Sequence, residues 1–275
     1  MARDRTRHSR RSGSGFNKGY LLWGLGFTIF IAILTFMFFQ PEKTNLSDFC
    51  PRSGEKGKIV ILLDVSDPLN MSQKAKFKKE LDGISKKSSL RPKPLLNKGE
   101  KLVIYITEED GKEPNKLFSM CSPGDIENKK VIEKMSEGKI ISLKKWQNFQ
   151  NKALNEIENK LSDSTSLKTS PIIESLSFVR AQEFNSPELL EESTNNKIIM
   201  ISDFIQNSAL TSQFKTLENV QEVNKIYPVS LNNISIRMLM LVSNKYSKFQ
   251  TPEHQSWWRK YFAITGADLE RISLF

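Results

Sequence analysis

Five consecutive apolar residues, Ile59 to Leu63, run without a break into Asp64, Ser66, Asp67 and Pro68. A short run that is apolar at every position and rich in Ile and Val predicts a strand buried on both faces, as in a parallel sheet. Polar residues packed against its end put a turn, with room for a site, at the carboxyl edge of that sheet. Two further runs have the same character, KLVIYIT from Lys101 to Thr107 and KIIMIS from Lys197 to Ser202. The second of these also runs into an aspartate, Asp203.

Helical stripes separate the strands. Phe77, Leu81 and Ile84 recur at helical spacing among lysines, and Trp146, Phe149, Ala153, Ile157 and Leu161 form a longer stripe over Lys144 to Leu161. Ser170 before Pro171 is a pattern for an N-cap followed by proline in the first turn. Beyond the third strand we read a short helix from Ser212 to Val220 and candidate strands at Lys225 to Val229 and Ser235 to Val242. A helix from Pro252 to Ile264 closes the chain, with Trp258, Tyr261, Phe262 and Thr265 on one face and Trp257 beside it. Residues 108–143 read as irregular. Strands alternating with amphipathic helices predict an α/β fold, a doubly wound, mainly parallel sheet flanked by helices.

Ahead of this domain lies a segment of a different kind. Gly19 to Phe39 contains no charged residue, and about 20 such residues at ~1.5 Å each match a hydrocarbon layer of ~30 Å. Tyr20 and Trp23 stand at the end nearest a basic tail, residues 1–18, where an aromatic belt would fall. A cleaved secretory signal has an apolar core of only about 7–15 residues and a small-residue cleavage site. This segment is longer and ends in Phe38, Phe39, Gln40 and Pro41, so we read it as an uncleaved transmembrane helix. The positive-inside bias then puts the tail in the cytoplasm. Everything after residue 40 falls on the other side: a polar linker, residues 40–57, and a domain from 58 to 275.

Charge supports that division. The net charge is +10, and the first 19 residues hold six basic residues against Asp4, so half of the excess sits in the tail. The remainder is only mildly basic, and no nucleic-acid-binding domain is expected. The two histidines, His8 and His254, exclude a histidine-rich zinc site, and a Ser-His-Asp arrangement would have to use His254. Cys50 and Cys121 lack CxxC spacing. In an oxidising compartment they would pair and tie the linker to the domain, the alternative being two buried thiols.

In open α/β sheets ligands bind beyond the carboxyl ends of the strands, where the strand order reverses. Asp64 and Ser66 stand at one strand end and Asp203 at another, with Thr169 and Ser170 in a loop between them in sequence. Hydroxyl and carboxylate oxygens from three loops suit a hard divalent cation such as Mg²⁺. This order resembles a von Willebrand factor A domain with its metal-ion-dependent adhesion site. The resemblance implies an ion held by an Asp-x-Ser-x-Ser loop, a Thr and a second Asp, its shell completed by an acidic residue of a partner protein. Carried over, Asp64, Ser66 and Thr169 would bind through side-chain oxygens and Asp203 through water, with Thr165 and Ser166 as alternatives for the third loop. Pro68 stands where the family has the second Ser, and Asp67 has no counterpart.

Membrane-anchored bacterial proteins with such domains are similar in layout, which implies a non-enzymatic role in a multi-protein assembly with no small-molecule substrate. A phosphohydrolase built on Asp64 is the enzymatic alternative. Such enzymes commonly place a second carboxylate two residues on as general acid, and here that residue is Ser66. No GxxxxGK or GxSxG motif is present. A metal-free structural spacer is the third reading.

Overall fold

The computed structural model describes residues 26–35, 43–45, 47–85, 95–124, 139–163, 167–187, 194–215 and 218–274. The chain divides into two compact units, Met1–Pro41 and Glu42–Phe275. In the first, residues 26–35 are helical. The rest of the 19–39 segment and the basic tail lie outside the described residues. No helix among the described residues is long and apolar enough to cross a membrane.

The second unit is a mixed α/β domain. Its six strands are β1 (Gly57–Leu63), β2 (Lys101–Ile106), β3 (Asn115–Cys121), β4 (Asn195–Ser202), β5 (Ser235–Met240) and β6 (Asp268–Leu274). They form one sheet in the order β3-β2-β1-β4-β5-β6. β1 pairs in parallel with β2 and β4, β4 with β5, and β5 with β6, while β3 runs antiparallel to β2. The order reverses between β1 and β4, so the ends of these two strands open the crevice in which such sheets hold their ligands.

Helices cover both faces because the central strands are apolar on both sides. On one face α1 (Met71–Ser85) and α2 (Lys139–Asp163) bury Phe77, Leu81, Trp146, Phe149 and Ile157 against Ile59, Ile61, Leu63 and Ile104. On the other, α3 (Ile172–Glu183), α4 (Val220–Ile226) and α5 (Pro252–Thr265) bury Leu176, Val223, Trp258 and Phe262 against Val60, Leu62, Met200 and Met238. Trp257 and Trp258 are both buried and pack this last helix. Gly266, in the left-handed conformation, ends α5, and a Cβ there would collide with Asn232.

Several sequence readings are corrected here. The stretch read as irregular contains β3, NKLFSMC, whose polar positions hid it because an edge strand buries only part of its surface. The helix expected at Ser212 to Val220 lies later, as α4, and takes in the first two residues of the expected strand at Lys225 to Val229, which does not form. Asn219 caps it by accepting from Gln221 N–H, and Val220 and Val223 bury one turn. A sixth strand follows the helix that was to close the chain. Asp67 caps nothing. Asn70 and Gln73 form the reciprocal box at the start of α1, with bonds of 2.9 and 3.0 Å.

Both outer strands carry an extra residue. The β2–β3 register slips at Leu117, between the Ile104–Phe118 and Tyr105–Lys116 pairs. The β5–β6 register slips at Glu270, between Ile236–Leu269 and Arg237–Arg271. These are bulges, which kink an edge and break its regular ladder.

The segment leading into β1 belongs to the domain. Thr44 bridges Pro51, Phe49 is buried in the core, and Cys50 is joined to Cys121 at the end of β3. The cysteines are 71 residues apart in sequence, and closing a loop of that size is worth about 4 kcal/mol in the chain-entropy model. Cys50→Ser/Cys121→Ser is therefore expected to lose about 4 kcal/mol of unfolding free energy in oxidising buffer. Urea titrations of both proteins check this, because the wild type in reductant should fall to the level of the double variant.

Towards the amino edge of the second face lies a buried ionic network. Glu183, at the end of α3, accepts from Lys58 Nζ (3.0 Å), Tyr105 OH (2.6 Å) and Lys116 Nζ (2.6 Å). Lys58 also donates to Glu183 O (2.7 Å) and pairs with Glu55 (2.7 Å).

Candidate functional site at the carboxyl edge

Asp64 follows the last residue of β1, and its N–H donates to Ile201 O across the sheet (2.8 Å). Its carboxylate is 3% exposed and receives four donors. Ser66 N–H (2.9 Å) and Thr107 Oγ1 (3.1 Å) donate to Oδ1. Ser170 Oγ (2.8 Å) and Ser202 Oγ (2.8 Å) donate to Oδ2. These donors come from the ends of β1, β2 and β4 and from the loop before α3. One buried carboxylate thus ties four segments together at the switch point through its four hydrogen bonds.

Ser170 does not cap α3 through its side chain. Pro171 occupies the N-cap position without a side-chain bond, and Ser170 turns its hydroxyl to Asp64 instead. Thr169 is not brought to the cluster. Its Oγ1 accepts from Asp110 N–H (2.8 Å), and Asp110 in turn accepts from Ala209 N–H (2.7 Å), so Thr169 fastens two loops. The mid-chain hydroxyl beside Asp64 belongs to the next residue.

Asp64, Ser66 and Asp203 do meet, in a cleft of about 230 Å³ that is also lined by Asp67, Pro68, Val242 and Tyr246. Asp203 accepts from Ile205 N–H (2.8 Å), which shapes its loop. Burial, together with the charges of Asp64 and Asp67, pushes its carboxyl up to about 8. Phe204 follows in the left-handed conformation, φ 61°, a strained state for a bulky residue. Three contacts hold it there. Its ring packs edge-on against Trp258 (5.4 Å), Trp258 Nε1 donates to its carbonyl (2.8 Å), and His254 Nε2 lies 2.8 Å from the same oxygen. His254 is consequently a core residue, buried, with its pKa lowered by that burial. Its Nε2 lies against Phe204 O, Gln213 Oε1 and Trp258 Nε1, and no serine hydroxyl is bonded to it among the described residues.

Three residues missed in the sequence complete the edge. Lys245 Nζ lies 3.0 Å from Asp67 Oδ1 and over the ring of Tyr246, placing a tethered ammonium at the mouth of the cleft. Ser202 and Thr107 supply hydroxyls directly after apolar strands, a pattern visible in the sequence had strand-end oxygens been collected alongside strand-end carboxylates.

The donors at this edge are hard oxygens, the type Mg²⁺ takes. Asp64 has already filled its lone pairs, however, and Pro68 offers no hydroxyl. Besides Asp64, the cleft is lined by the oxygen-bearing side chains of Asp203, Asp67 and Ser66. Among the described residues, no three His, Cys, Asp or Glu side chains converge closely enough to hold a metal ion.

No family model matches the chain, and no curated protein matches it. Among solved structures it is similar to proximal thread matrix protein 1 from the mussel byssus, in two crystal forms. In the first the identity is 12%, the TM-score 0.35, and the match covers 80% of this chain and 42% of that one. In the second the identity is 11%, the TM-score 0.33, and the coverage 77% and 48%. The chain spans less than half the length of these proteins, and at such TM-scores nothing further follows from the likeness.

Proposed function

We propose that this chain presents a von Willebrand factor A-like domain from a single membrane anchor, on the extracytoplasmic side of a bacterial inner membrane. Its carboxyl edge binds another protein of a membrane-associated assembly. The observation that carries the reading is the concentration of Asp64, Asp67 and Asp203 at one strand-order reversal, with Asp203 facing a cleft and short of compensating positive charge. Asp64 and Ser66 stand at the positions the resemblance assigns to the first loop, Asp203 at the later Asp, and Ser170 supplies the hydroxyl expected of Thr169.

Asp203, Asp67 and Ser66 are the residues that would hold Mg²⁺, whose chemistry there would be to neutralise the carboxylates and offer a coordination position to an acidic side chain of the partner. The domain is non-enzymatic in this reading. Ser66 cannot act as general acid for a nucleophilic Asp64, and Asp64 is itself enclosed by four donors. A metal-free version, in which the same edge binds its partner directly, is favoured by the Lys245–Asp67 ion pair, which already supplies a cation.

Calorimetric titration of Mg²⁺ and Mn²⁺ into the full chain in detergent tests the site. One cation is expected to bind the wild type and none Asp203→Asn. Lys245→Ala is expected to bind about two- to fivefold more tightly, since an exposed competing ion pair has been removed. Identical heats for wild type and Asp203→Asn would exclude the ion and leave the metal-free version.

A further inference from the structure

Between α4 and α5 runs a groove of about 880 Å³ that the carboxyl-edge site does not use. Its lining includes Glu218 and Val220 at the start of α4, and Glu253, Trp257, Lys260 and Ile264 along α5. Trp257 is fixed in its wall. The indole Nε1 donates to Glu218 O (2.6 Å), and the ring stacks on Tyr261 at 5.6 Å with 3° between the planes. The side of α5 that borders the groove is otherwise open. Pro252, Glu253, Ser256, Lys260 and Ala263 are exposed, and Ile264 is 43% exposed.

The charges on this side are placed symmetrically. Glu253 and Lys260 are seven residues apart, two turns of helix, with Ser256 and Trp257 midway between them. At ~1.5 Å per residue they stand roughly 10 Å from one another along the axis, too far to pair within the helix. Neither has an ion-pair partner among the described residues. A helix with one charge of each sign at equal distances from its middle is complementary to a second copy of itself laid antiparallel. A two-fold axis between Ser256 and Trp257 brings Glu253 of each copy to Lys260 of the other, the isologous arrangement of a cyclic dimer. Ser256, at the axis, is small enough for the two backbones to come close. Pro252, Ser256, Lys260 and Ile264 form a ridge at i, i+4 spacing, the kind that packs into a groove of a facing helix surface. Each copy offers both the ridge and the groove beside it. A partner segment of a single charge would meet one of these two groups and oppose the other.

We infer that α5 is the surface through which two copies of this chain associate, packed antiparallel about a two-fold axis at Ser256 and Trp257. Each Glu253 pairs with the second copy's Lys260. The contact involves the domain alone, and depends neither on the reading of residues 19–39 nor on what the carboxyl-edge cleft binds.

The test is disulfide trapping of the full chain in detergent. Ser256→Cys stands at the axis, and Lys152→Cys, exposed on α2 across the sheet, is the control. Under mild oxidation Ser256→Cys is expected to form a covalent dimer at least about threefold faster than the control, because its two thiols are already held together. Adding either Glu253→Lys or Lys260→Glu to Ser256→Cys is expected to slow trapping at least about threefold, since like charges then face each other twice. Mixing these two charge variants should restore the rate, in a dimer that contains one of each, because every charge again meets its opposite. Thermal melts matching that of the wild type establish that the variants are folded. Equal trapping at the two positions, or trapping at Ser256→Cys that ignores both charge reversals, would overturn the dimer and leave the groove to a different protein. Failure of the mixture to recover would overturn the antiparallel pairing.

Discussion

Truncating Glu183 to alanine is expected to lower the unfolding free energy by about 1.5–3 kcal/mol, the worth of hydrogen bonds to a charged group, because Lys58 keeps Glu55 at 2.7 Å and the main-chain carbonyl of residue 183. Glu183 and Lys58 are 3% and 4% exposed, and Lys58 loses its 3.0 Å carboxylate contact while remaining inside. Tyr105 loses its hydrogen-bond acceptor at the same time. Burial alone would raise the Glu183 pKa, but the bonds from Lys116 and Tyr105 and the nearby Lys58 charge outweigh burial and hold it down at about 2. Its folded value is thus depressed. The stability it contributes is present above the ordinary carboxylate pKa and is lost as the pH falls from there towards 2. Urea unfolding at pH 7 and pH 3 measures both effects, and the gap between wild type and Glu183→Ala should narrow in acid. Lys58→Met in the Glu183→Ala background should recover part of the loss. If the double variant is as unstable as the sum of the singles, the network is not coupled.

The second large effect has the opposite sign. Asp203→Asn is expected to stabilise the cation-free domain at pH 8 by about 2 kcal/mol, a figure reduced for solvent access from a ceiling of about 5 kcal/mol at 1.36 per pKa unit. The folded pKa of Asp203 is raised, to about 8. Between its ordinary value and 8 the folded chain keeps a proton that the unfolded chain has released, so stability falls as the pH rises through that window. Asparagine keeps an oxygen for Ile205 N–H and carries no charge, so its pH profile should be flatter. Thermal unfolding at pH 5 and pH 8 checks this, with the two proteins nearly alike at the lower pH. Added Mg²⁺ should raise the melting temperature of the wild type at pH 8 and leave Asp203→Asn unmoved. A wild-type profile flat from pH 5 to pH 8 would remove the charge strain on which the site is argued.

The two predictions concern opposite ends of the sheet, and the sequence was unequally informative about them. β1, β2 and β4 were legible because central parallel strands are apolar at every position, and Asp64 and Asp203 were found because each directly follows such a run. β3 and β6 were not, since an edge strand mixes Lys116, Ser119, Glu270 and Arg271 with its apolar residues and so resembles a loop. The third-loop hydroxyl could not be assigned from spacing: Thr169 was preferred over Thr165 and Ser166, which lie outside the described residues, and the hydroxyl beside Asp64 is that of Ser170. Serine before proline is a capping signal, and only the fold reveals that Asp64 outbids the helix for that hydroxyl. Lys245 was invisible because it lies 178 residues from Asp67 and meets it only through the turn after β5. The Lys58–Glu183 pair, 125 residues apart, was hidden for the same reason.

The bulges at Leu117 and Glu270 bear on what happens when many copies are gathered in a small area. A regular outer strand invites a neighbour to add to its ladder, and repeated addition yields a fibre. Here a neighbouring chain would have to reproduce a kink before its amide groups came into line, on either side of the sheet. Crowding can therefore raise the number of domains per unit area without the sheets knitting into a polymer. Bulged edges favour contacts through side chains at loops and helices over edge-to-edge pairing.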